Sequence, residues 1–120
     1  MQRAGTDPAR GQEVSGDTVR FSGPLQAMPI EEGYDPIGFV AVSGEAADAV
    51  AGHELMRRLE RGKRRGFGSV KVGVQVGGSR WQTSLFPQKT GGWFLPIKKP
   101  VRLAEGLEEG EPVEVVLELL

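Results

Sequence analysis

The sequence predicts a mainly β fold in which two similar halves close one barrel. Three observations carry this expectation. Val70, Val72, Val74 and Val76 alternate with Ser69, Lys71, Gly73 and Gln75, the period-two signature of a strand with one buried face. Val113, Val115, Leu117 and Leu119 share a face opposite Glu114 and Glu118 in the same way. The order strand, turn or loop, strand, helix, strand also occurs twice along the 120 residues.

Residues 1–17 are Gly, Pro, Ala, Gln and charged residues with a single Val, too little apolar surface to offset the entropy of ordering, so a disordered N-terminal tail is expected there. Residues 18–120 are expected to form one domain. Val19, Phe21 and Leu25 alternate with Thr18, Arg20 and Ser22 as a half-buried strand that Gly23 and Pro24 bend or end. A loop with Pro29, Gly33 and Pro36 leads to a short apolar strand at 38–42. Ser43 is placed to cap a helix over 45–61, whose Ala51, Leu55, Met56 and Leu59 form one apolar stripe. Gly52 weakens the middle of that helix and Gly62 suits its end.

The valine strand at 70–76 follows. Gly77 and Gly78 supply a tight hairpin turn, and residues 80–86 return antiparallel with Trp81, Thr83 and Leu85 on one side. Pro87 stops that strand, Gly91 and Gly92 turn the chain, and 93–97 is another strand. Pro100 fits the first turn of a short helix that Gly106 ends, and residues 109–111 turn into the final strand at 113–119. Trp81, Phe86 and Trp93 are read as core residues. Setting residues 39–43 beside 93–97, with Phe39 over Trp93, suggests an internal duplication about a pseudo-two-fold axis, with interleaved strands leaving few free edges.

Leu95-Pro-Ile-Lys-Lys-Pro-Val-Arg, its spacing to Gly106, and Glu109-Gly-Glu-Pro-Val-Glu-Val resemble the half-barrel of swapped-hairpin transcription factors of the AbrB, MazE and MraZ kind. More specifically, that motif together with Gly66-Phe-Gly-Ser-Val-Lys-Val and Trp81-Gln-Thr-Ser-Leu-Phe-Pro resembles the family known as domain of unknown function nineteen-oh-five, over about residues 19–119. The resemblance implies a double-split β-barrel in which one chain supplies both halves that AbrB-type proteins assemble as a dimer. It implies no established activity. Ile37-Gly38 stands where an aromatic often precedes the second strand, and Ser43 where proline is common.

Composition narrows the chemistry. The chain has no cysteine and one histidine, which removes disulfides, thiolate nucleophiles and sulfur-ligated metal sites, and no metal or other cofactor is expected. No run approaches the ~20 apolar residues of a membrane span, and no signal-peptide core is visible, so a cytoplasmic, non-membrane protein is expected. Ser84 and His53 nominally allow a hydrolytic triad, but Ser84 lies in a regular strand without a nucleophile elbow, and an enzyme is not expected. The glycines at 73–78 match no phosphate loop.

The net charge of −1 hides segregation: a basic window at 57–65 and a C-terminal run of glutamates. A candidate ligand-binding set is Arg80, Gln82, Ser84, Lys98, Lys99 and Arg102, cations and polar groups suited to an anionic ligand or acidic partner, with Lys98 and Arg102 alternatively pairing Glu105 or the acidic C-terminal strand. The leading expectation is a non-enzymatic module for a protein partner or small anionic ligand, monomeric if the halves complete each other, with a dimer as the alternative. The rival is an AbrB-like nucleic-acid binder using Arg57, Arg58, Arg61, Lys63, Arg64 and Arg65 against phosphates.

Overall fold

The computed structural model describes residues 11–62 and 68–120. Among them, eight strands and two helices follow in the order β1 (Glu13–Ser15), β2 (Thr18–Pro24), β3 (Gln26–Met28), β4 (Ile37–Val42), α1 (Gly44–Arg61), β5 (Val70–Val76), β6 (Ser79–Pro87), β7 (Trp93–Pro96), α2 (Lys99–Ala104) and β8 (Pro112–Leu119). The strands form one curled antiparallel sheet in the order β1-β2-β8-β5-β6-β7-β4-β3.

Only Leu25 separates β2 from β3, so the two are parts of one bent strand. The first part pairs with β8 and the second with β4, which returns the ladder to its start and closes the sheet as a barrel. β6 changes partner in the same manner: its residues 79–85 pair with β5, then Phe86 and Pro87 pair with β7. These two changes of neighbour are the two splits of a double-split barrel.

Two registers locate the pseudo-two-fold axis. α1 and α2 follow the N-caps Ser43 and Lys98, which makes Val40 the counterpart of Leu95, and those residues are also direct partners across β4 and β7. β5 matches residues 113–119 of β8 in length and burial, which makes Val74 the counterpart of Leu117, and these again are direct partners. A residue faces its own counterpart only where a two-fold axis passes between them. Phe39 and Phe94 are then counterparts too, and their rings stack with centroids 4.4 Å apart. The alignment of Phe39 with Trp93 is therefore one residue out of register. Because strand side chains alternate, that slip exchanges faces: Trp93 is buried whereas Phe39 lies on the outside with the half-buried Ile37 and Ala41.

The core follows the expected alternation. Val19, Phe21, Val40, the four valines of β5, Leu85, Leu95 and Leu117 are each under 5% exposed. α1 departs from expectation: it buries Ala46 and Val50, while Ala51, Leu55, Met56 and Leu59 are all exposed, Leu59 at 69%. Small side chains let the first half of α1 lie close against the sheet, and Trp93 Nε1 donates to the Ala47 carbonyl at 3.2 Å. The second half leaves the core, and its apolar stripe faces away from it.

Nor does Ser43 cap α1 with its side chain. Gln12 does so instead: its Oε1 accepts from the Ala46 N–H at 2.9 Å, and its Nε2 donates to the Ser43 carbonyl at 2.9 Å. The segment expected as a tail over 1–17 is corrected at its end, since this anchor and the β1–β2 ladder supply partners that composition cannot reveal. Residues 1–10 of that segment lie outside the described residues.

Candidate functional site

The outward positions of β6 are Arg80, Gln82, Ser84 and Phe86, because Leu85 points into the core. Arg80 and Gln82 line a shallow cleft of about 410 Å³ with Gln75, Val116 and Glu118 from β5 and β8. Ser84 sits opposite Lys71 on β5. Lys99 and Arg102 belong to α2, and Lys98 is its N-cap. Lys99 Nζ donates to Asp35 Oδ2 at 2.8 Å in the loop before β4, and that hydrogen bond, with the ammonium charge, holds the Asp35 carboxyl below its usual range. Arg102 Nε donates to the Ile97 carbonyl at 3.1 Å. Of the six residues, Arg80 and Gln82 line the 410 Å³ cleft, whereas Ser84, Lys98, Lys99 and Arg102 do not.

Glu105 pairs with neither Lys98 nor Arg102. Its carboxylate accepts from Ser79 Oγ at 2.6 Å and from the Gly78 N–H at 3.4 Å, tying the end of α2 to the β5–β6 turn.

The basic window is partly neutralised within α1. Arg57 lies 3.2 Å from Glu60 and Arg58 lies 3.3 Å from Glu54. Lys63, Arg64 and Arg65 fall outside the described residues. Arg57 and Arg61 meet His53, Glu54 and Lys71 around a cleft of about 230 Å³ between α1 and the start of β5. His53 is half-buried there, and its Nε2 donates to the Leu120 carbonyl oxygen at 2.7 Å. Lys71 joins this group only through the fold, since it alternates with the core valines of β5.

Sequence reasoning missed a third feature. Phe86 is 42% exposed and Met28 41%, and with Phe94 they line a cleft of about 520 Å³ on the outside of the barrel. Phe86 is directly opposite Phe94, which stacks on Phe39. Of the three aromatic residues read as core, Trp93 is buried, Trp81 is half-buried and Phe86 faces out. The signal was present: alternation through Leu85 already sends Phe86 outward.

No helix among the described residues is long and apolar enough to cross a membrane. A family model described as a Domain of unknown function (DUF1905) matches residues 21–117. No curated protein matches the chain.

Proposed function

The chain belongs to the DUF1905 family by a match over most of its length, and we propose that it acts as a non-enzymatic binding module whose main contact is a protein partner. The observation that carries this reading is the outer aromatic surface. Phe39, Phe86, Phe94 and Met28 come from four strands to make one apolar surface beside a cleft of about 520 Å³. A contiguous apolar surface of this kind on a small barrel is the usual mark of an interaction site. The test places a photo-crosslinking residue at position 88, at the rim of this cleft, in the source cells. A discrete protein adduct that disappears with Phe94→Asp is expected; adducts unchanged by Phe94→Asp count against the site.

A second reading, binding of a small anion, is favoured by the meeting of His53, Arg57, Arg61 and Lys71 at one cleft. Phosphate added at constant ionic strength should shift the amide signals of Lys71 and His53, and no shift eliminates it. The nucleic-acid reading shares Arg57 and Arg61 with that cleft and adds Arg58, and Arg57 and Arg58 already have carboxylate partners. A salt series with duplex DNA separates it, since phosphate contacts weaken steeply with salt.

A further inference from the structure

β6 carries an open backbone edge where its counterpart carries a covered one. Val76 and Ser79 flank the two-residue turn of the β5–β6 hairpin and form its closing hydrogen-bonded pair. Alternate residues Trp81, Thr83 and Leu85 therefore turn their N–H and C=O groups toward β5, and Arg80, Gln82 and Ser84 turn theirs to the other side. Among the described residues no strand pairs there, and β7 joins only from Phe86 onward.

The pseudo-two-fold axis identifies what is missing. Through the Val74–Leu117 pair it carries Thr18, Val19 and Arg20 of β2 onto Arg80, Trp81 and Gln82 of β6. On β2 this edge is occupied: β1 pairs Glu13 with Arg20, Val14 with Val19 and Ser15 with Thr18. Glu13 also sets a carboxylate 3.6 Å from Arg20. Burial records the difference between the halves. Val19 is 0% and Phe21 4% exposed, while their counterparts Trp81 and Thr83 are only half-buried.

We propose that the β6 edge from Arg80 to Ser84 is a strand-addition site that takes an extended segment of a partner protein, in the place β1 holds on β2. The segment runs antiparallel to β6, with an apolar side chain opposite Trp81 and a carboxylate opposite Arg80. The exposed Arg80 guanidinium has no ion pair among the described residues, so a carboxylate complements it. The space suits one strand. β7 bounds the edge at Phe86, and Glu105 just after α2 bounds it at Ser79, so a second copy would bring its own turn and β7 against those same boundaries. α1 lies beside β1 without displacing it, and α2 spans 6 residues against 18 in α1, which leaves a strand more room here. This site stands whether or not the aromatic surface is occupied.

The test titrates the isotope-labelled full chain with the capped peptide acetyl-Thr-Val-Gln-Val-Glu-amide, read by amide chemical shifts and hydrogen exchange. At millimolar peptide, shifts should centre on Arg80, Gln82, Ser84 and the Trp81 indole, and exchange at those three amides should slow at least threefold. Replacing the peptide's Glu by Lys should weaken binding at least threefold, and Arg80→Glu should reverse that preference. Gln82→Pro removes one edge-facing N–H without touching the β5 ladder and should abolish binding. No shift at millimolar peptide, shifts confined to Phe86 and Phe94, or the same affinity for the Glu and Lys peptides would each overturn the proposal. So would a dimer in sedimentation whose Arg80, Gln82 and Ser84 amides are already protected, because the edge would then belong to a second copy.

Discussion

Arg102 lies across Gly38: a Cβ added to Gly38 would stand 2.8 Å from the arginine Nε and 2.9 Å from its Cδ. The same Nε holds the Ile97 carbonyl, so the absence of a side chain at position 38 lets α2 dock on the end of β4.

Gly38→Ala should therefore displace the guanidinium and cost about 0.5–1.5 kcal/mol, the net worth of the hydrogen bond lost. In an Arg102→Ala background the cost should vanish, because the clash is gone and alanine restricts the unfolded chain. Urea denaturation of the four proteins in a double-mutant cycle measures this coupling. Equal costs in both backgrounds would show that the contact is not the reason for glycine.

Two other glycines should respond in opposite directions. Gly92 has φ +76°, and a Cβ there would run into the Val42 carbonyl oxygen, a backbone atom that cannot rotate away. Gly92→Ala is expected to cost about 2–4 kcal/mol from the strained φ and the clash together. Gly52 lies inside α1, and a Cβ there meets nothing within 4 Å. Gly52→Ala should gain about 0.5–1 kcal/mol from helix propensity. Thermal melts of both variants check the pair, and a destabilised Gly52→Ala would mean that this helix face is covered.

Asp35 should titrate below the ordinary aspartate value of 3.8 because Lys99 bonds to its charged form. A carboxyl whose folded value is depressed stabilises the fold above its unfolded value and loses that contribution as pH falls through the folded one. The group is fully exposed, so the effect on global stability is small and screened by salt. Carboxyl shifts followed by nuclear magnetic resonance should show the depression, and Lys99→Met should remove it. A value unchanged in Lys99→Met would dissociate the shift from this pair.

Much of the architecture was legible because strand alternation is a local property. Val70 to Val76, Val113 to Leu119 and the outward turn of Phe86 all follow from period two. Helix burial was not legible in the same way. Leu55, Met56 and Leu59 have the spacing of a core stripe, yet Ala46 and Val50 are the residues buried, because the sheet packs against only the first half of α1. The surroundings of the candidate ligand set were hidden for a related reason: Arg80 and Lys99 are near in sequence, but Arg80 lines a cleft with residues of β5 and β8 while Lys99 pairs with Asp35 in the loop before β4.

By itself the sequence determined six of the eight strands, their inward faces, the two helices and the twofold recurrence, since each depends on residues within a few positions of one another; β1 and β3, short and poor in apolar residues, show only in their pairing. Only the tertiary structure decided how the halves superpose. The one-residue difference between aligning Phe39 with Trp93 and with Phe94 is invisible along the chain, but it is fixed once Val40 meets Leu95 and Val74 meets Leu117 across the barrel. That register brings Phe39 and Phe94 together on the outside and matches β6 with β2, so that the edge β1 covers on β2 is the edge left open on β6. Pairing between distant strands sets that match, and such pairing leaves no trace in local composition.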